Sequence, residues 1–204
     1  MPVQILALGW LIGILSGQLA AAQSVALPEG IRPYDAPAPT LELSDMDGRL
    51  FSLQEDGRGQ WVFVHFWASW CGPCRREMPA IQRMAAELEE QGLRVVLVNT
   101  AESEDTVFTF LAETAPALQS LMDRDGQVTE AWQPRGLPAT YLVDPRGRIR
   151  YQALGGRPWD EDRYLEFLQG LGCVMRNSRS ALSGTVSRRC APPPGSAPGR
   201  RDPL

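Results

Sequence analysis

Cys71 and Cys74 are separated by Gly72 and Pro73, and Trp70 immediately precedes them. Two cysteines at this spacing on the first turn of a helix bring their sulfurs within bonding reach, so the pair can cycle between dithiol and disulfide. The segment before them, Trp61 to Phe66, is apolar, and the segment from Arg75 onward is amphipathic. The pair therefore sits where a strand turns into a helix. Cys71 falls at the helix N-terminus, where unpaired backbone N–H groups and the helix dipole favour the thiolate. Pro73 suits the first helical turn, because its missing N–H would have no partner there. Thiol–disulfide exchange is the chemistry these residues can do.

Zinc binding and a purely structural disulfide are the competing uses of the same spacing. A zinc site normally needs a second Cys pair or a Cys/His pair. Cys173 and Cys190 are too far apart in sequence to supply one, and His65 is the sole histidine. Glu77 follows Cys74 by three positions, so both lie on one helix face. A carboxylate half-buried there could take the proton from Cys74 as it becomes a nucleophile, and would disfavour a neighbouring thiolate. His65 lies within the apolar strand and reads as a satisfied core histidine. Trp67 and Trp70 read as an apolar rim around the cysteines, with core packing as the other use of Trp67.

These residues need a frame, and the 204-residue chain has room for one ordinary domain plus tails. All twenty basic residues are arginine, and the net charge of −4 is unevenly spread. From Cys173 onward six arginines face one aspartate, so the preceding residues carry −9. No nucleic-acid groove is legible in that balance. Residues 1–22 contain no charged side chain, Ile5 to Leu15 is apolar, and Ala20-Ala21-Ala22 reads as a small-residue cleavage site. The segment reads as a signal peptide, with an uncleaved membrane anchor as the alternative because no basic residue precedes the apolar run. Either use exports the rest of the chain to a compartment where disulfides persist.

Residues 23–40, with Pro28, Pro33, Pro37 and Pro39, read as a linker. Leu41 to Leu43 and Leu50 to Leu53 form a small hairpin around Asp47-Gly48. Trp61 to Phe66 is a buried strand. The helix after Cys71 keeps Met78, Ile81, Ala85 and Leu88 on one face, is kinked by Pro79, and closes at Gly92. Arg94 to Asn99 is a buried parallel strand. Ser103 caps a helix to Thr114, with Val107, Phe110 and Leu111 inward. Leu118 to Met122 is a strand, and Val128 to Trp132 is a short helix. Ala139 to Val143 and Ile149 to Tyr151 form an antiparallel hairpin. A last helix runs from Asp160 to Leu171. The order predicts an α/β domain over 41–172, a mixed sheet flanked by helices with the N-terminal β-hairpin as an extension. Residues 173–204 read as a disordered Arg/Pro-rich tail, in which Cys173 and Cys190 could pair or stay single.

The run Phe63-Val64-His65-Phe66-Trp67-Ala68-Ser69-Trp70-Cys71-Gly72-Pro73-Cys74-Arg75-Arg76-Glu77-Met78-Pro79 closely resembles the active-site segment of the thioredoxin superfamily. Its Arg-Arg-Glu-Met-Pro end is similar to the exported TlpA/ResA/DsbE-like branch. Gly136-Leu137-Pro138-Ala139-Thr140-Tyr141-Leu142-Val143-Asp144 resembles that family's second signature. The resemblance covers about residues 36 to 172 and leaves out the tail.

The resemblance implies a thioredoxin-like fold in which Cys71 attacks a partner disulfide and Cys74 resolves the mixed disulfide. It implies a cis peptide at Leu137–Pro138 beside the pair, offering backbone groups to an extended partner. Trp70, Gly72, Pro73 and Leu137 would then meet the partner, while Glu77 and Pro138 would complete the catalytic set. The Gly-Pro spacer brings no cation to stabilise a thiolate, which predicts a reducing couple. Clients would be disulfide-bearing proteins outside the cytoplasm, such as apocytochrome c or oxidase assembly factors. Electrons would come from a membrane thiol donor of the DsbD/CcdA type, with no cofactor. A copper- or haem-handling chaperone using the pair as ligands is the alternative from another class, although no histidine or methionine cluster accompanies the pair. A thiol peroxidase on the same fold is a third, disfavoured by the Trp-Cys-Gly-Pro-Cys segment.

Overall fold

A computed structural model describes residues 27–180. The predicted leader and the segment around Cys190 lie outside these residues. In chain order the elements are β1 (Ile31–Pro37), β2 (Glu42–Ser44), β3 (Leu50–Ser52), α1 (Leu53–Asp56), β4 (Trp61–Trp67), α2 (Gly72–Leu88), β5 (Leu93–Thr100), α3 (Glu104–Thr114), β6 (Ser120–Asp123), α4 (Gln127–Trp132), β7 (Ala139–Val143), β8 (Arg148–Leu154) and α5 (Asp162–Ser180).

Six strands form one sheet in the order β1-β8-β7-β4-β5-β6, and β2 pairs with β3 apart from it. β4, β5 and β6 run parallel, while β7 is antiparallel to β4 and to β8. The sheet is mixed and the fold is thioredoxin-like α/β. β4 lies in the middle, and every residue of it is buried. That explains its unbroken apolar sequence, since a strand covered on both faces shows no alternation.

Side chains of β4 still alternate between two cores. Phe63 and Trp67 point to one, where Met78, Ile81, Met84 and Leu88 of α2 and Tyr164, Phe167, Leu168 and Leu171 of α5 pack. Val62, Val64 and Phe66 point to the other, with Val96, Val98, Trp132 and Tyr141. Full burial of each large apolar side chain is worth roughly 1.5–3 kcal/mol, so α2 is held chiefly by this stripe. Met84 completes it, where the sequence periodicity places Ala85. The helix continues through Pro79.

The edge of the sheet differs from expectation. Within the stretch read as linker, Ile31–Pro37 forms β1 and pairs antiparallel with β8. Prolines argue against a central strand, but an edge strand uses only one side of its backbone, and the register shifts between Pro33 and Ala36. The hairpin forms as read, but Leu53 leaves it to begin α1. The tail also begins later than its composition suggests, because α5 runs on through Gly172 to Ser180. Glycine in a helix interior costs only about 1 kcal/mol and does not by itself stop the helix.

Candidate active site

Cys71 is the N-cap of α2, and its sulfur accepts the Cys74 backbone N–H at 3.2 Å. The two sulfurs are bonded to each other. Cys74 is fully buried and Cys71 is 5% exposed, whereas Trp70 beside them is 69% exposed. Trp70 is therefore the exposed side chain beside the pair, and Cys71 is the more accessible of the two cysteines. Pro73 is exposed and Gly72 half-buried on the same turn. Trp67 is not part of that rim. It is fully buried, donates its indole N–H to the Ser120 hydroxyl at 3.0 Å and packs on Phe110. As the last residue of β4 it still follows the strand's alternation into the core.

The Leu137–Pro138 peptide is cis. Ala139 pairs with Phe66, so Pro138 lies at the end of the sheet from which the cysteine turn departs. Pro138 is buried and Leu137 half-buried. The Pro138 carbonyl accepts the Gly155 N–H at 2.8 Å, which ties the start of β7 to the loop after β8.

That loop also holds Glu77. The carboxylate is buried at 4% exposure. Its Oε2 accepts the Arg157 backbone N–H at 2.9 Å and the Trp159 indole N–H at 3.1 Å. Gly156 packs beside both groups, where a Cβ would sit in ordinary contact, 3.4 Å from the Pro73 carbonyl oxygen and 3.7 Å from Glu77 Oε2. Gly155 has φ +78, a backbone state that favours glycine. The Arg157 guanidinium turns away from Glu77 and donates to the carbonyls of Gly156 and Leu154. On the sheet side, His65 Nε2 stands 3.3 Å from Glu77 Oε1.

A second carboxylate shapes the turn before the cysteines. Glu102 accepts the Ser69 N–H and the Asn99 amide, each at 2.7 Å, and the Ser69 hydroxyl. Ala101 before it takes a left-handed backbone (φ 57), a strained state for a non-glycine residue. The Ser69 carbonyl accepts from Arg75, whose guanidinium lies over Phe110. Ser69 is thereby fixed on both sides, immediately before Trp70.

The structure gathers Cys71, Cys74, Glu77, Trp70, Gly72 and Pro73 on the head of α2, with Leu137 and Pro138 at the same end of the sheet. Sequence reading missed Glu102, Asn99, Ser69, Arg157 and Trp159. The consecutive Gly155-Gly156 was the signal available for the loop, because paired glycines mark close backbone approach. Nothing in the sequence linked Glu102 to Ser69.

A thioredoxin-like sheet with a disulfide at the N-terminus of its central helix and a cis-proline strand beside it is the architecture of thiol–disulfide oxidoreductases. The AhpC/TSA family pattern matches residues 35–152, and the chain belongs to that family. The thiol-disulfide oxidoreductase ResA of Bacillus subtilis is 34% identical over 112 residues, 55% of this chain and 62% of the relative. ResA of Geobacillus kaustophilus is 34% identical over 134 residues, 65% of this chain and 76% of that protein. The crystal structure of a Chlorobium tepidum protein assigned as a thiol:disulfide interchange protein DsbE matches with a TM-score of 0.57 and 30% identity. That match covers 72% of this chain and 96% of the Chlorobium chain. The chain thus spans less than two thirds of the length of the Bacillus relative.

Proposed function

We propose that the protein is an exported thiol–disulfide oxidoreductase that reduces disulfides in client proteins. The observation that carries the direction of transfer is the buried carboxylate of Glu77, one helical turn after Cys74. Its Oε2 accepts two N–H donors, which hold the carboxylate in place on the face of Cys74. A carboxylate so placed disfavours a thiolate nearby, and a less stabilised reduced form makes a more reducing couple.

In the exchange, the Cys71 thiolate attacks one client sulfur and the client's second sulfur leaves as a thiolate. Cys74 then gives its proton to Glu77 and attacks Cys71 Sγ. The Cys71–Cys74 bond forms, the mixed disulfide breaks, and the client leaves with both sulfurs reduced. Two electrons pass from the protein's dithiol to the client, and a membrane dithiol donor of the DsbD/CcdA type restores them. Trp70, Gly72, Pro73 and Leu137 form the contact surface for an extended client segment, with Pro138 fixing its place beside the pair. Cysteines of apocytochrome c, or metal-site cysteines in oxidase assembly, are the client class this reading favours. Residues 1–22 deliver the domain outside the cytoplasm. No helix among the described residues is long and apolar enough to cross a membrane.

The reduction potential of the Cys71–Cys74 couple tests this reading, measured on the full chain in dithiothreitol and glutathione buffers. A value near that of thioredoxin, about −270 mV, is expected. A value near −120 mV, as for a strong oxidant, overturns the reductive assignment. Cys74→Ser then traps clients as mixed disulfides on Cys71.

A further inference from the structure

His65 does more than fill the core. It is fully buried in the middle of β4, where an ionisable side chain is expensive to keep. Its Nδ1 lies 2.9 Å from the Thr140 hydroxyl on β7. Its Nε2 faces Glu77 Oε1 at 3.3 Å, and neither atom has a well-directed hydrogen bond in the oxidised protein. Phe63 stacks against the imidazole at 5.9 Å, and Trp159 meets Phe63 edge-on at 4.8 Å. The same Trp159 holds the other oxygen of Glu77.

A bare nitrogen lone pair cannot rest against a carboxylate oxygen at this distance without repulsion, so a proton belongs between Nε2 and Oε1. Two arrangements supply one. In the first, the Thr140 hydroxyl donates to Nδ1, and a neutral imidazole presents Nε2–H to an ionised Glu77. In the second, the imidazolium donates from both nitrogens, with Thr140 as acceptor and Glu77 still ionised. A threonine hydroxyl can serve either role by rotating. In either arrangement Nε2 carries the hydrogen that Oε1 accepts.

We propose that His65 is the positioning residue of Glu77, its Nε2–H fixing Oε1 as the place where the Cys74 proton is held during exchange. This inference rests on the reading of Glu77 as proton acceptor. Oε2 is already occupied by the Arg157 N–H and the Trp159 indole, so the free acceptor is Oε1, the oxygen turned to His65. Nε2 already carries the hydrogen that faces Oε1, so the Cys74 proton stays on the carboxylate, on the Oε1 lone pair that the Nε2–H leaves open. It leaves later for the departing client thiolate or for water. The groups bonded to the pair are Thr140 from β7 and the Arg157 amide and Trp159 indole from the loop after β8, with Cys74 one turn before Glu77 on α2. The Arg157 guanidinium is taken up by the carbonyls of Leu154 and Gly156.

His65 is the only histidine in the chain, so its imidazole can be followed by NMR without assignment. The expected result is that Glu77→Gln lowers the proton affinity of the imidazole at least tenfold, and that reducing the Cys71–Cys74 bond shifts its titration. His65→Phe should slow client release from the mixed disulfide at least tenfold. His65→Gln, which keeps an N–H donor for Oε1, should restore release to within about threefold of wild type. An imidazole titration unmoved by Glu77→Gln overturns the inference even if no His65 variant folds. So does a His65→Phe protein with the wild-type pH profile of release. If Glu77→Gln slows release while His65→Phe does not, only the role of His65 falls. If Glu77→Gln leaves release unchanged, the underlying reading of Glu77 falls with it.

Discussion

Glu77 and Glu102 both approach the cysteine turn, from opposite sides, and their surroundings differ in kind. Glu102 is half-buried, and both of its oxygens are claimed by Ser69 and Asn99. Glu77 is more deeply buried, yet only one of its oxygens is claimed by N–H donors. The other faces an imidazole with no settled hydrogen bond. A carboxylate with its acceptor sites filled works as a clamp, because protonating it would break the bonds that hold it. A carboxylate with one oxygen open keeps a place for a proton. Residue type and distance from the cysteines do not separate the two, but the count of donors does.

Replacing each glutamate in turn puts that contrast to the test. Glu77→Gln should slow the Cys74-dependent release of client by about 10²-fold, within the range of general acid–base effects, while the thermal midpoint moves little. Rapid-quench kinetics on a model disulfide peptide reads this directly, and an unchanged rate removes the distinction. Glu102→Ala should act the other way round. It leaves the Ser69 N–H and the Asn99 amide without their acceptor, at a cost of about 2 kcal/mol in urea unfolding, with release slowed far less than by Glu77→Gln. A release rate as slow as that of Glu77→Gln would mean that Glu102 also handles protons.

Trp159→Phe sharpens the comparison by opening the second oxygen of Glu77. Loss of the indole N–H and a smaller ring beside Phe63 and Tyr164 should cost about 1–2 kcal/mol of stability and alter the pH profile of release. A profile identical to wild type would show that the indole bond to Oε2 is structural only.

The smallest effect concerns two phenols, one in each core of the sheet, where no carboxylate is involved. Burial pushes the phenols of Tyr141 and Tyr151 above their ordinary range. Both are neutral when folded, and the unfolded chain ionises near pH 10. Their contribution is complete below that pH and is lost as pH rises through the folded values. Urea midpoints should therefore fall on going above about pH 10, less so in Tyr151→Phe, and by the same amount in either glutamate variant.

Much of this was legible in the chain. The strand into Cys71, the helix beyond it and the placement of Glu77 on the face of Cys74 all follow from local spacing. The donors to Glu77 Oε2 are eighty or more residues away, and no periodicity links Trp159 to Cys74. Glu102 was hidden for a similar reason, since its bond to Ser69 spans 33 residues. His65 was read as satisfied because its strand is apolar, but satisfaction depends on what faces each ring nitrogen. The prolines misled in the other direction. They count against a strand only when both of its sides must pair, and β1 uses one.

That one-sided pairing bears on how the molecule behaves among copies of itself. β8 is seven residues long with alternating burial, and β1 covers the side of it that β7 leaves open. On β1 the outermost backbone is interrupted by Pro33, Pro37 and a register shift, which leaves few donors in line for another chain. At the opposite margin β6 is only four residues long, and Asp45 bridges to Leu121 there. A fragment starting at residue 41, the natural cut from composition alone, would strip β1 away and bare a regular strand as a template for stacking. Such a fragment should self-associate on storage, while one that keeps residues 27–40 stays monodisperse in light scattering.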